Sequence, residues 1–183
     1  NSDWEQRQDY SIRLISADQD ILGLGVIIHE NIVERVSHWE YLPISAILQE
    51  FGQPETVYYF STGVSDGGNP LFSLVLTYPT QGILIKIMDS EHGQYILRDD
   101  GGHIQICAPV IGLSGEEITF YDPDDTQLQA TILEDVTSIS SHLNDLSMEL
   151  DMSMEEFYQT FSDPVSQACL TDPEPFPPEW VGW

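Results

Sequence analysis

Apolar and polar positions change their period in the middle of the chain. Four apolar residues recur at the spacing i, i+3, i+4 and i+7, which predicts one face of a helix: Ile44, Ile47, Leu48 and Phe51. Pro43 suits the first turn, Gly52 is the expected left-handed residue after the last turn, and Pro54 prevents continuation. Residues 56–60 are β-branched or aromatic and predict a strand. We therefore interpret Phe51, Gly52 and Pro54 as a structural corner and not as a reactive loop.

Most of the remaining chain consists of short β-branched and aromatic runs separated by turn sequences rich in Gly, Pro and Asp. The predicted strands cover residues 11–15, 26–28, 32–33, 56–60, 71–78, 83–88, 95–97, 103–107, 117–121 and 128–133. Because the connections are short, we expect antiparallel pairing.

The last quarter of the chain changes character. Ser153 and Glu156 have the spacing of a capping box, which predicts a short helix through Phe161 that ends before Pro164. Beyond Cys169 the sequence is rich in proline and is unsuited to a regular helix or a central strand. This tail either lies extended over the domain, with its aromatic residues in surface grooves, or is a mobile linker to a further segment. The aromatic residues are Phe176, Trp180 and Trp183.

These patterns together predict an α+β fold. We expect an antiparallel β-meander sheet, two short helices packed on one face, and an extended, proline-rich C-terminal tail. The predicted organisation is a polar N-terminal segment at residues 1–20, a single α+β domain at 21–170, and the Pro/Trp-rich tail at 171–183.

The charge is strongly one-sided. Five Lys plus Arg stand against 31 Asp plus Glu, for a net charge of −26, and 18 acidic residues follow Arg98, the last cation. Nucleic acid and anionic membrane surfaces would be repelled. The carboxylates either form a solvated surface or a docking face for calcium or for a protein partner with a basic surface. The charge does not predict the oligomeric state.

The apolar runs, the first residue and the cysteines bear on where the protein is located in the cell. No run approaches the roughly 20 apolar residues that span a bilayer. The chain begins at Asn1 without Met, which is typical of a processed chain and leaves room for a lipid anchor upstream. Cys107 and Cys169 are predicted to form a structural disulfide that pins the tail to the sheet, and two free thiols are the alternative.

Candidate chemistry is sparse. Residues 63–67 match G-x-S-x-G, but they lie between two predicted strands and no helix follows, so a hairpin loop is the better interpretation. None of the five histidines has a close metal-ligand spacing, although His92 and His103 flank a predicted hairpin where they could meet. The five are His29, His38, His92, His103 and His142. The lack of P-loop and dinucleotide motifs argues against nucleotide chemistry.

Two acidic segments have more than one interpretation. Residues 122–125 (DPDD) resemble half a calcium loop, yet Gln127 and Leu133 occupy the positions where glycine and a bidentate glutamate belong, which favours an acidic turn. Residues 143–157 place leucines and methionines at helical spacing, which indicates core packing or, alternatively, a groove for a partner. We assign no catalytic, cofactor-binding or metal-binding residue, and no cofactor.

Four segments carry a family resemblance: YLPISAILQEFGQPETVYYF, PLFSLVLTYPTQGILI, ICAPV, and MSMEEFYQTFSDPVSQACLT followed by EW. They resemble a family of uncharacterised secreted bacterial proteins, often lipoproteins, over residues 41–180. The resemblance implies export, a disulfide that reaches Cys169, and no known reaction. That family's cysteine- and tryptophan-rich N-terminal motif is not visible in residues 1–40. Over about 50 residues, the helix, Gly-x-Pro and strands are also similar to the folds of small outer-membrane assembly lipoproteins and β-lactamase-inhibitor proteins, which are binding modules.

These observations favour a non-enzymatic, extracytoplasmic domain, secreted or attached to the cell envelope, that binds a protein or has a structural role. A secreted hydrolase that uses a dispersed carboxylate pair is the first alternative, since spacing in the sequence cannot reveal such a pair. A calcium-stabilised structural domain is the second.

Overall fold

A computed structural model of the chain describes residues 7–15, 21–29, 32–40, 42–64, 70–89, 96–98, 103–108, 111, 116–137, 144–145 and 152–175. The strands are β1 (Arg7–Ile15), β2 (Ile21–His29), β3 (Ile32–Glu40), β4 (Thr56–Val64), β5 (Pro70–Tyr78), β6 (Ile83–Asp89), β7 (Ile96–Arg98), β8 (His103–Cys107), β9 (Glu116–Tyr121), β10 (Asn144–Asp145) and β11 (Cys169–Pro175). The helices are α1 (Ile44–Phe51), α2 (Thr126–Thr137) and α3 (Met154–Phe161), and a short 3-10 helix covers Pro79–Gln81.

The main sheet has eight strands in the order β1-β2-β3-β9-β6-β5-β4-β10, and each described pair is antiparallel. Two three-stranded meanders, β1 to β3 and β4 to β6, are joined through β9, which lies between β3 and β6. The α+β class with an antiparallel sheet is therefore confirmed. The simple meander is modified because β9 enters the sheet from a distant part of the chain.

A second sheet has the order β11-β8-β7 and holds the single described disulfide, between Cys107 and Cys169. These cysteines are direct cross-strand partners of β8 and β11. The predicted disulfide is thus confirmed, and it fixes the first part of the proline-rich segment to the second sheet as an edge strand. Phe176, Trp180 and Trp183 lie outside the described residues.

The main core lies between one face of the main sheet and a layer formed by α1, α3 and the second sheet. Its members are apolar or aromatic and almost completely buried, including Ile47, Leu76, Ile106 and Phe157. Phe157 and Phe161 of α3 stack with ring centroids 4.9 Å apart. Burial of this continuous apolar surface is the chief stabilising contribution to the fold.

The opposite face of the main sheet is covered by α2. A small cluster there contains Val75, Leu84, Tyr121 and Ile132. Since side chains alternate along a strand, Val75 points away from Leu74 and Leu76, which belong to the main core. The two predicted helices thus share one face, and a third, unpredicted helix lies on the other.

The predicted strand at residues 128–133 is wrong, because that segment lies within α2. Asp125 precedes the helix, and its Oδ1 accepts a hydrogen bond of 2.8 Å from the backbone N–H of Leu128, as a helix N-cap does. Leu128 and Ile132 are four residues apart and both contact the α2 face of the sheet. A short apolar run is ambiguous between strand and helix, and here the cap decides.

Capping also explains α3. The hydroxyl of Ser153 accepts from the N–H of Glu156 at 3.2 Å, and the Glu156 carboxylate accepts from the N–H of Ser153 at 2.9 Å. Hydrogen bonds from the backbone and hydroxyl of Ser153 lower the pKa of Glu156. Within the described residues, no helix is both long enough and apolar enough to cross a membrane. The domain boundaries stay a prediction.

Candidate functional site: an acidic rim at one end of the main sheet

Exposed carboxylates lie at one end of the main sheet: on α1 near its end, in the corner before β4, and in the turn between β9 and α2. We call this set the acidic rim. It consists of Glu50, Glu55, Asp122, Asp124 and Asp125. The elements are adjacent because the backbone N–H of Tyr121 donates to the carbonyl of Gly82, and the turn before Gly82 contacts the corner after α1.

The corner itself is fixed by hydrogen bonds. Gly52 has a φ of 83°, and its N–H donates to the carbonyl of Leu48 at 3.0 Å, which closes the helix end. The hydroxyl of Tyr78 donates to the Gly52 carbonyl at 3.1 Å, and Gln81 Nε2 donates to the Phe51 carbonyl at 3.3 Å. Burial raises the pKa of Tyr78, so its hydroxyl stays a neutral donor at physiological pH. These bonds tie the corner to β5 and the 3-10 helix.

Glu55 connects the corner to the same turn. Its Oε1 accepts from the hydroxyl of Thr80 at 2.6 Å and from the Thr80 N–H at 3.1 Å. The backbone N–H of Glu55 donates to the carbonyl of Thr77 at 2.9 Å. The pKa of Tyr121 is raised by burial first and by the Glu55 charge second. Glu55 is therefore held in place while its side chain stays exposed.

The acidic turn at residues 122–125 uses two of its carboxylates locally. Asp122 Oδ1 accepts from the N–H of Asp124 at 2.9 Å, and Asp125 caps α2. This arrangement is that of a turn that begins a helix. No group of three or more His, Cys, Asp or Glu able to hold a metal ion occurs among the described residues.

The remaining candidates from the sequence are scattered. Gly63 and Val64 end β4, residues 65–67 lie outside the described residues, and β5 begins at Pro70, so this G-x-S-x-G is followed by a strand. His29, His38 and His103 lie in three different strands. His92 and His142 lie outside the described residues, so the suggested pairing of His92 with His103 is not tested.

The leucine and methionine pattern is described only in part. Met152 and Met154 pack against the main core, in agreement with the core interpretation. Leu143, Leu146, Met148 and Leu150 lie outside the described residues, so a partner groove there stays a prediction.

Sequence reasoning missed Glu50 and Glu55 as surface residues of interest. Both are polar positions that flank the apolar corner, which is the signal that could have found them. It also missed Lys86, the single lysine, which is 6% exposed in β6 and directly opposite Glu117 in β9. Burial lowers the pKa of Lys86, and the Glu117 charge opposes that shift.

Comparisons with family models, curated proteins and solved structures found no significant match to this chain.

Proposed function

We propose that the protein is a non-enzymatic, exported or cell-envelope module that binds a partner with a basic surface through the acidic rim. The observation that carries the proposal is the position of exposed carboxylates from α1, the corner and the β9–α2 turn at one end of the main sheet, on a backbone fixed by hydrogen bonds. Because the backbone that carries these carboxylates is already fixed, less conformational entropy is lost when a partner binds.

The net charge of −26 adds long-range attraction for a basic partner. Such a field accelerates association and orients the partner before contact, and it weakens as salt shortens the screening length. Binding through the rim should therefore be fast and sensitive to ionic strength.

Export is supported by the disulfide between Cys107 and Cys169, because such bonds persist mainly in oxidising compartments. Alkylation of freshly purified protein, followed by intact mass with and without reductant, tests this part. Two thiols that react before reduction would contradict it.

Rim binding is tested by capture from cell-envelope extract with immobilised protein, followed by elution in rising salt. The rim variant Glu50→Gln with Asp124→Asn removes two exposed charges. It spares Asp122, which bonds within the turn, and Asp125, which caps α2. The matched control, Glu134→Gln with Glu155→Gln, removes two exposed charges on α2 and α3.

We expect a partner that is released by salt, bound by the control variant and lost or weakened with the rim variant. Equal capture by both variants would show that overall charge acts without the rim. A bound partner that resists salt would contradict an electrostatic interface.

A further inference from the structure

From the edge of the main sheet we infer a second interaction surface, and we propose that β1 pairs with β1 of a second copy of the chain. Among the described strands, β1 ends the eight-stranded order and has a neighbour, β2, on one side. A nine-residue edge strand presents a row of backbone donors and acceptors that can extend the sheet.

The charges along β1 favour a particular self-pairing. In an antiparallel pair centred on Ser11, Asp9 of one copy lies opposite Arg13 of the other, and the symmetry repeats this pair. In the same register, Tyr10 lies opposite Ile12. Opposite charges and aromatic–β-branched pairs both stabilise neighbouring antiparallel strands.

The charges of β1 also favour this register over the one centred on Tyr10. It aligns all nine residues, from Arg7 opposite Ile15 through the centre, and would form roughly eight to ten backbone hydrogen bonds. A shift that centres the pair on Tyr10 places Arg7 opposite Arg13, twice. Like charges directly opposite are destabilising, so the sequence favours the centred register.

Within its own sheet, β1 has no charged residue directly opposite these two positions. Asp9 lies opposite Ile27, and Arg13 lies opposite Gly23 in β2. The charge pattern of β1 is therefore not complemented across the β1–β2 ladder, whereas a second β1 complements it at both positions.

Electrostatic repulsion also limits which surfaces of two copies can come into contact. The chain carries a net charge of −26, so most contacts between copies bring carboxylates together. β1 contains two arginines and one aspartate and so has a net charge of +1, and it holds two of the five cations. It is thus a segment along which two copies approach without strong local repulsion.

Charge exchange between the two positions tests this interface. Asp9→Arg places Arg opposite Arg in the pair, and Arg13→Asp places Asp opposite Asp. The double variant, Asp9→Arg with Arg13→Asp, restores opposite charges. Sedimentation velocity over a concentration series in physiological salt measures the dimer dissociation constant, and circular dichroism checks that each variant is folded.

We expect the wild type and the double variant to dimerise, and each single variant to dimerise at least about tenfold more weakly. A mixture of the two single variants should form a heterodimer. In it, the arginine introduced at position 9 lies opposite the aspartate introduced at position 13, and the native Arg13 lies opposite the native Asp9. The heterodimer is compared with the two single variants themselves, so a loss of folding stability in either variant cannot explain its formation. The rim variant should dimerise as the wild type does, which separates this interface from the rim.

A wild type that stays monomeric throughout the series would overturn the proposal and leave the charges of β1 as protection of an edge strand. A wild-type dimer that is unchanged in both single variants would place the interface elsewhere, and this too would overturn the proposal.

Discussion

The two faces of the main sheet differ in composition although they share the same strands. The main-core face packs apolar and aromatic residues against α1, α3 and the second sheet. The α2 face has a cluster of four buried apolar or aromatic residues, and next to it the strands bury four polar side chains: Ser73, Thr77, Lys86 and Thr119. Buried polar groups need partners and add little net stability. We therefore expect most of the stability to come from the main-core face.

The largest effect should come from loss of the disulfide, which anchors the second sheet over the main core. Cys107 and Cys169 are separated by 62 positions. The double variant Cys107→Ser with Cys169→Ser should lower the free energy of unfolding by about 4 kcal/mol on the chain-entropy model, because the unfolded chain gains freedom. Urea unfolding measures the loss.

Reductant provides the control for that prediction. It should destabilise the wild type by a similar amount and leave the double variant unchanged. A loss below about 1 kcal/mol, far under the chain-entropy value, would show that the second sheet does not depend on its covalent link.

The same substitution on each face compares them directly. Leu76 is fully buried on the main-core face and Leu84 is 2% exposed on the α2 face. Leu76→Ala should cost about 3–4 kcal/mol and Leu84→Ala about 2–3 kcal/mol, because the smaller cluster under α2 can relax more easily into the cavity. Both are measured by urea unfolding with unchanged slope. If Leu84→Ala costs more, the comparison of the faces is wrong.

Local signals predicted the main-core side well. The stripe on α1, the turn at Gly52 and the capping box at Ser153 each act over a few residues, so the sequence displays them directly. The α2 side was missed because its signal is a single capping residue, Asp125, before a run that also suits a strand. The position of β9 between β3 and β6 depends on pairing between distant segments, which no local period encodes.

The candidate site likewise combines features that the sequence displays locally with features that depend on distant segments. The acidic character was predictable from composition. Its position at one end of the sheet was not, because the topology alone brings the end of α1, the start of β4 and the β9–α2 turn to the same end. The pairing of Cys107 with Cys169 was easier to predict, since a chain with two cysteines has one possible intramolecular disulfide.

Gly82 lies between the 3-10 helix and β6, next to the β9–α2 turn, and its substitution should have an intermediate effect. It has a φ of 67°, and a Cβ there would collide with the carbonyl oxygen of Tyr121 and lie 3.0 Å from Pro123 Cδ. Gly82→Ala should cost about 2–3 kcal/mol, the strain of a left-handed residue plus the displacement of the β9–α2 turn. Thermal unfolding and urea titration measure it.

Gly82→Asn separates the two causes. Asn tolerates the left-handed region better than Ala but has the same Cβ. If the collision dominates, the Asn variant is as unstable as the Ala variant. Recovery of most of the stability by Asn would assign the cost to backbone conformation.

Tyr78 on the main-core face should give a smaller effect that depends on pH. Tyr78→Phe removes the hydrogen bond to Gly52 and should cost about 1 kcal/mol at neutral pH. Its folded pKa is raised above 10.0, so the unfolded chain ionises first. The wild type should therefore lose stability as the pH rises above 10, and the Phe variant should lose less. Equal losses in both proteins would contradict burial of the Tyr78 hydroxyl.

Lys86 on the α2 face should give the smallest effect at neutral pH and the opposite pH dependence. Its folded pKa is lowered below 10.5, so between the lowered value and 10.5 the unfolded chain binds more protons, and stability rises with pH. Lys86→Met should change stability by about 1 kcal/mol or less at neutral pH, since an apolar side chain of similar size replaces a buried charge. The Met variant should also lack the rise with pH.

Lys86→Arg is the matched control for this titration, because Arg keeps its charge throughout the range. It should lack the rise as well, yet remain less stable than the Met variant at alkaline pH, since it still buries a cation. Urea unfolding at a series of pH values separates these cases. If the wild type and the Met variant have the same slope, then Lys86 does not lose its proton earlier in the folded chain. The α2 face would in that case be as tolerant of a buried charge as the exposed surface, and its contrast with the main-core face would rest on packing alone.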